Sequence, residues 1–480
     1  MTTRRSVEVV TAPGPVAGLL GAVQTHARAL GAAALDPEMA GLVADQSAGS
    51  GSALVDLVTG LEDLVAAAAA LQARAAVELD RKRRAQEAER GVPAARRGRG
   101  VAAEIGLAAR TSLSRGSRLL GFGKALCLEM PHTMAALAQG RLSPWRATLL
   151  VKESACLPRE DRERLDEELC ADPDALAGLG DRQIGDAARA WCARENAEAV
   201  VARNRRAEAE RRVSLRPAPD TMTYLTALLP VAQGVAAYAA LVQQADAARA
   251  REHEGDAADT RTRGQVMADA LVAAVTGQPQ GQHPPVLLNL VMTDTALFTS
   301  ADTEAAMLPG YGPVPAATAR AMLEKAAGAD DAGAWVRRLY TAPRTGALVA
   351  MDSRRRKVPL ALADLVRIRD GGRCRAPWCD APVRHIDHAV PVADGGATQE
   401  NNLQSYCEAH NYAKQAPGWH AEPQRHTVET RTPSGHRYVD RAPPLPGSSA
   451  RPAERPEREG VTVDYSYGER NLIEVLGLVA

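Results

Sequence analysis

Residues 374–414 read CRAPWCDAPVRHIDHAVPVADGGATQENNLQSYCEAHNYAK. Two closely spaced pairs of soft ligands frame this stretch: four residues separate Cys374 from Cys379, and two separate Cys407 from His410. Two such pairs joined by a longer loop are how a chain closes a tetrahedral zinc site. The spacing therefore predicts a structural Zn²⁺ that is held by all four residues and has no open position for catalysis. The alternative is three free thiols beside a surface histidine.

An aspartate and a histidine, Asp387 and His388, follow one another between the two pairs. A carboxylate is a hard oxygen ligand that suits Mg²⁺ or Mn²⁺. A neutral imidazole can take a proton from water near neutral pH. Neighbouring residues on a regular strand point to opposite faces, so both can serve one site only if the strand ends or twists there. Single histidines are usually structural or exposed, but this pair within the framed loop favours a functional role.

The order of these residues resembles the HNH nuclease motif of the ββα-metal fold, over about Arg369–Trp419. The resemblance implies that His388 is the general base and that Asp387 holds a catalytic divalent ion. It also implies that Asn402 braces the loop carrying the base and that Asn411 is the second metal ligand. The family has a histidine or an asparagine at this last position, so the chain is an H-N-N variant. Two oxygen ligands favour Mg²⁺ or Mn²⁺ over softer cations.

This resemblance implies a metal-dependent endonuclease that hydrolyses DNA phosphodiester bonds, with His388 activating the attacking water. The alternative is a catalytically inactive, zinc-stabilised DNA-binding module attached to a helical protein-interaction domain. Both interpretations make DNA a partner and Zn²⁺ a structural cofactor. Only the first requires Mg²⁺ or Mn²⁺ for catalysis.

DNA binding needs local cations, because the whole chain is neutral, with 58 basic and 58 acidic residues. A basic segment precedes the framed loop; its members are Arg354, Arg355, Arg356, Lys357, Arg367, Arg369, Arg373 and Arg375. Only two acidic residues oppose them, which favours phosphate contacts, although a solvated helix face would account for some of the charges. The candidate DNA contacts are Arg369, Arg373, Arg375, Arg384, His385 and Lys414.

The rest of the chain is dominated by helical periodicity, and its apolar residues are mostly alanine, leucine and valine. Alternating patterns predict a few short strands, including a pair over residues 213–216 and 221–226. The fold class expected is a mainly α N-terminal and central region with a few short strands, followed by a small α+β, zinc-stapled ββα-metal module. This layout resembles, more weakly, proteins of high-GC Gram-positive bacteria that carry a long helical domain of unknown function before an HNH module.

We expect seven segments. They are a flexible tail (1–18), a helical domain (19–250), a helix with linkers (251–285), a mixed α/β extension (286–352), the nuclease module (353–420), a hairpin (421–441) and a mostly disordered tail (442–480). The first residues lack the apolar core of a signal peptide, and the apolar runs are too short to span a bilayer. We therefore expect a cytoplasmic protein with no membrane contact. A protein partner or self-association through the helical domain is a further expectation.

Overall fold

The computed structural model describes residues 15–35, 50–172, 175–253, 261–277, 290–293, 296–297, 305–327, 352–353, 358–423 and 427–443. These residues are mainly helical, with a few short antiparallel strands, which confirms the predicted fold class. Four of the predicted cations, Arg354, Arg355, Arg356 and Lys357, lie outside the described residues. So do residues 1–14 of the predicted N-terminal tail and 444–480 of the predicted C-terminal tail.

Nine helices form the described N-terminal part of the chain. They are α1 (Pro15–Ala34), α2 (Ser50–Glu89), α3 (Val101–Ala108), α4 (Leu113–Leu128), α5 (Pro131–Ala138), α6 (Pro144–Glu153), α7 (Arg159–Cys170), α8 (Asp181–Glu195) and α9 (Ala197–Ala209). Helix α1 begins at Pro15, inside the segment 1–18 that was predicted as a tail. Proline suits the first turn of a helix because its missing N–H has no partner there in any case.

Helix α2 packs into the main core through small side chains. Ala66, Ala70 and Ala73 are almost fully buried and lie one turn apart on the same face of the helix. On α4, Gly123 lies directly against this face, where an added Cβ would stand 2.6 Å from the carbonyl oxygen of Ala73. The two helix backbones can therefore approach closely. Small side chains on both helices make this close packing possible.

The central region alternates between short hairpins and helices. Its elements are β1 (Arg212–Pro217), β2 (Thr223–Leu228), α10 (Val231–His253), α11 (Arg263–Thr276), β3 (Ala305–Leu308), β4 (Gly312–Pro315) and α12 (Ala316–Ala327). The hairpin predicted over 213–226 is present, with Val213 opposite Ala227 and Leu215 opposite Leu225. Strands β3 and β4 form a second antiparallel pair.

The C-terminal module contains α13 (Leu360–Arg369), β5 (Asp352–Ser353), β6 (His385–His388), β7 (Thr398–Gln399), β8 (Leu403–Tyr406) and α14 (Glu408–Lys414). Strands β6 and β8 are antiparallel neighbours, as are β5 and β7. Helix α13 packs on this pair because Leu362 and Val366 form one buried cluster with Leu403 of β8. The paired strands followed by α14 are the β-β-α arrangement that the sequence predicted.

Three more strands follow, β9 (His420–Pro423), β10 (Thr427–Arg431) and β11 (Arg437–Arg441). The predicted hairpin is formed by β10 and β11, but β9 pairs with the other edge of β10, so the unit is a three-stranded sheet. Strand β9 lies across residue 420, the predicted end of the nuclease module. The sequence of β9 contains a proline and only one small apolar residue, which hid its strand character.

The C-terminal sheet is joined to the helical region through a buried carboxylate. Glu104 of α3 accepts hydrogen bonds from the backbone N–H and the hydroxyl of Ser434, in the turn between β10 and β11. The other oxygen of Glu104 pairs with the buried guanidinium of Arg83 at 2.9 Å. Within the described part of the chain, no helix is both long enough and apolar enough to cross a membrane.

Candidate functional site

A cluster of soft ligands forms where the loop after α13 meets the start of α14. The ligand atoms of Cys374, Cys379, Cys407 and His410 all lie within 4.8 Å of one another, and all four residues are buried. Cys407 caps α14, and its sulfur accepts a hydrogen bond from the backbone N–H of His410 at 3.5 Å. The predicted ligand set is thus brought together in one place. Three sulfurs and one imidazole at these separations can hold a cation such as Zn²⁺.

Hydrogen bonds among the three thiols of this cluster shift the pKa values of Cys374 and Cys407 in opposite directions. Hydrogen bonds from Cys374 and Cys379 lower the pKa of the Cys407 thiol. Hydrogen bonding to Cys379 and Cys407, together with burial, raises the pKa of Cys374. In the helical core, by contrast, burial raises the pKa of Cys170 and Cys192 to about 11. A divalent cation on the clustered thiols would therefore displace protons as it binds, whereas the core thiols stay protonated.

Asp387 and His388 are the last two residues of β6, and their side chains contact different elements. The Asp387 carboxylate pairs with the ammonium of Lys414 on α14. The same ammonium also donates to the backbone carbonyl of His388. The imidazole Nε2 of His388 lies 2.9 Å from the hydroxyl oxygen of Thr398 in β7. Both residues are paired within the strand, Asp387 with Gln404 and His388 with Leu403, so their convergence on one site stays a prediction. The imidazole is held in place by Thr398.

Asn402 fastens the loop that follows His388. Its amide oxygen accepts from the backbone N–H of Val390 at 2.9 Å, and its amide nitrogen donates to the carbonyls of Val390 (3.1 Å) and Ala397 (2.8 Å). Gly396 completes the turn, because an added Cβ there would stand 1.9 Å from the Val390 carbonyl oxygen. One buried side chain therefore spans the loop between β6 and β7.

Asn411 lies on α14, one turn before Lys414 and hence on the same face of the helix. Its amide oxygen is buried and has no hydrogen-bond partner among the described residues. An unsatisfied buried oxygen is costly, which calls for an explanation. A carboxylate and an amide oxygen are ligands that Mg²⁺ and Mn²⁺ accept. A hard divalent cation on Asp387 and Asn411 stays a prediction, and the Lys414 ammonium is paired with the Asp387 carboxylate.

Two of the predicted DNA contacts are buried inside the module. Arg369 donates to both carboxylate oxygens of Asp370 at 2.8 and 3.0 Å, and also to the carbonyl of Leu403 at 2.7 Å. Arg375 pairs with Asp440 of β11 at 2.6 Å. Both guanidinium groups are engaged and almost inaccessible. This corrects the prediction for these two residues, because an arginine that satisfies a buried carboxylate does not reach a phosphate outside the protein.

The remaining candidates are partly or fully accessible. Arg384 is exposed, and His385 is half-buried with its ring tilted against that of Tyr412 at a centroid distance of 6.5 Å. Arg373 is partly exposed and donates to the carbonyl of Tyr311 at 2.9 Å. Lys414 is engaged with Asp387 rather than free at the surface. Contact with DNA stays a prediction for these four residues.

Sequence reasoning missed two residues that organise the site, Thr398 and Asp370. Thr398 holds the His388 imidazole, yet nothing in its sequence surroundings marks it. Asp370 is fully buried between two arginines and accepts from the backbone N–H of Ser405 on β8 at 2.9 Å. Its signal was available in the alternation of Arg369, Asp370 and Arg375. Such alternation of opposite charges is as typical of an internal ion-pair network as of a DNA-binding surface.

Comparison with known proteins identifies the larger part of the chain. The family described as "Domain of unknown function (DUF222)" matches residues 58–370, about two thirds of the sequence. The matched region contains most of the helical part and ends just before Cys374. No curated protein and no solved structure matches the chain.

Proposed function

The chain belongs to the DUF222 family, and we propose that it is a divalent-metal-dependent DNA endonuclease whose active site is made by Asp387, His388 and Asn411. The observation that carries this proposal is the amide oxygen of Asn411, which is buried and has no hydrogen-bond partner among the described residues. Asn411 lies one turn before Lys414 on α14, and Lys414 pairs with Asp387. Two hard oxygen ligands beside an oriented imidazole are the minimum set for metal-assisted hydrolysis of a phosphodiester.

The proposed reaction assigns one task to each side chain. Asp387 and Asn411 would hold Mg²⁺ or Mn²⁺, which supplies charge stabilisation for the scissile phosphate and the departing 3′ oxygen. The imidazole of His388, held by Thr398, would take the proton from the attacking water. Asn402 would keep this imidazole in position by bracing the loop behind it. The cluster of Cys374, Cys379, Cys407 and His410 would bind a structural Zn²⁺.

The test is nicking of supercoiled plasmid by the full chain in Mg²⁺ or Mn²⁺, with the His388→Ala variant beside it. We expect the variant to lose nicking while its zinc content, measured by mass spectrometry, stays the same. His132→Ala is a matched control, because His132 is an exposed histidine at the start of α5. Undiminished nicking by His388→Ala refutes the assigned base, and loss of nicking in the control reveals an indirect effect.

One observation favours the inactive alternative, a DNA-binding module without cleavage. The Lys414 ammonium already neutralises Asp387, and a carboxylate satisfied in this way does not need a metal. This alternative predicts retention of a short DNA duplex in a mobility-shift assay but no nicking at any concentration of Mg²⁺ or Mn²⁺. Metal-dependent nicking that depends on His388 excludes it.

A further inference from the structure

Charge is sorted by depth at the end of α2 and in the segments that follow it. Residues 80–124 contain twelve basic and four acidic side chains, although the whole chain is neutral. Three of the four carboxylates, Asp80, Glu87 and Glu104, are at most 3% exposed, whereas nine of the twelve basic residues are exposed. Within this fully described range, Glu89 is the one acidic residue at the surface. The surface of this part of the helical domain therefore carries almost only positive charge.

The basic loop, defined as residues 96–99, has a backbone that a buried acid holds in place. Gly98 is in the left-handed conformation, with φ at 77°, and its N–H donates to the buried carboxylate of Glu87 at 2.6 Å. The side chains of Arg96 and Arg99 are exposed. Neither of them takes part in an ion pair among the described residues. The loop thus presents two guanidinium groups that no carboxylate of the chain neutralises.

The basic loop lies against the C-terminal module, just beyond the end of α14. Gly100, which follows the loop, packs closely on Trp419, because an added Cβ would stand 2.3 Å from the indole nitrogen. The same Cβ would stand 3.1 Å from the Cβ of Ala416. Ala416 is five residues after Asn411, which is roughly 8 Å along a helix. The basic loop is therefore close enough to the proposed active site to contact the same turn of a duplex, which is about 34 Å long.

We propose that the basic loop binds the phosphate backbone of the DNA duplex beside the proposed active site, through Arg96 and Arg99. The inference rests on the proposed function for the identity of the polymer, and it gives the helical domain a part in holding the substrate. Exposed arginines without carboxylate partners suit phosphate oxygens.

An anionic membrane is the competing partner for such a surface. Segments that bind membranes present large apolar side chains beside their cations. Residues 72–127, all of which the structure describes, contain no exposed large hydrophobic side chain. The surface around the basic loop therefore favours DNA over a membrane.

The test is binding of the full chain to a short fluorescent DNA duplex, measured by anisotropy over a range of salt concentrations without added Mg²⁺ or Mn²⁺. The double variant Arg96→Gln with Arg99→Gln should weaken binding at least about tenfold at about 0.1 M salt. The slope of log affinity against log salt concentration should fall by about 2, because two phosphate contacts are lost. Arg205→Gln with Arg206→Gln is the matched control, because both arginines are exposed on α9. It should bind as the wild type does.

A second variant separates loss of charge from loss of structure. Arg96→Lys with Arg99→Lys keeps both charges and should bind nearly as the wild type does, because backbone binding depends on charge. Wild-type affinity and salt slope in the glutamine variant overturn the proposal. Weaker binding of that variant to phosphatidylserine vesicles, with unchanged binding to DNA, also overturns it and assigns the loop to a membrane.

Plasmid nicking distinguishes failure of this inference from failure of the proposed function. A wild-type chain that binds the duplex through the basic loop but never nicks plasmid refutes the endonuclease and supports the basic loop. A glutamine variant that binds and nicks as the wild type does refutes the basic loop alone.

Discussion

Replacement of Lys414 by methionine should strengthen divalent-metal binding at Asp387. The Lys414 ammonium is hydrogen-bonded to the Asp387 carboxylate and to the His388 carbonyl. A divalent cation must displace it from the carboxylate before it can bind. A hydrogen bond to a charged group contributes about 1.5–3 kcal/mol. Since about 1.4 kcal/mol corresponds to a tenfold change in affinity, Lys414→Met should bind Mn²⁺ roughly 10- to 100-fold more tightly.

The assay is a titration of the zinc-loaded full chain with Mn²⁺, with free Mn²⁺ measured by electron paramagnetic resonance. Lys414→Arg keeps a cation beside the carboxylate and should stay close to the wild type. Lys152→Met removes an exposed lysine from α6, far along the chain, and should change nothing. Equal or weaker Mn²⁺ binding by Lys414→Met would refute the competition, because it would mean that the lysine does not occupy the position of the metal.

Three more predictions concern the framework around the site. Glu104→Ala should lower the free energy of unfolding by about 3–5 kcal/mol in urea denaturation, because it leaves the buried Arg83 unpaired, and an unchanged midpoint would contradict this. Asn402→Ala removes three hydrogen bonds and should cost about 2–3 kcal/mol, with faster hydrogen exchange over residues 389–397. Cys407→Ala should abolish zinc binding and the cooperative melting of the C-terminal module, whereas Cys127→Ala on α4 should keep both.

The soft-ligand cluster could be predicted from the sequence because its four ligands form two pairs, and the members of each pair are close together in the chain. Each ligand pair spans one turn of backbone, so the spacing of Cys374 from Cys379 and of Cys407 from His410 almost fixes the geometry. Only the resemblance to the HNH motif suggested that Asn402 braces the loop. Its three hydrogen bonds to Val390 and Ala397 show how one side chain can do so. Local spacing thus determines where ligands meet, but it says little about which long-range partner each side chain finds.

The burial of Arg369 and Arg375 could not be predicted from the sequence for that reason. A basic run has the same composition whether its charges meet phosphate or an internal carboxylate. The choice depends on Asp370, which is adjacent, and on Asp440, which is 65 residues further along the chain. Helix α2 shows the same limit for apolar residues. Helical periodicity does not reveal which face of a helix enters the core, and in the structure that face carries Ala66, Ala70 and Ala73, with Gly123 of α4 against it.

The site is part of a unit that includes the family-matched helices. Glu104 lies within the matched region, and Ser434, its partner, lies beyond the matched range. Arg375 links the loop carrying the soft ligands to Asp440 in the same C-terminal sheet. A displacement of α3 would therefore move the turn between β10 and β11, which contacts Glu104. The Arg375–Asp440 pair would transmit this movement to the segment between Cys374 and Cys379. The helical domain thus contacts the sheet that Arg375 joins to the soft-ligand cluster, and a C-terminal fragment beginning at residue 353 would leave Ser434 without its carboxylate partner.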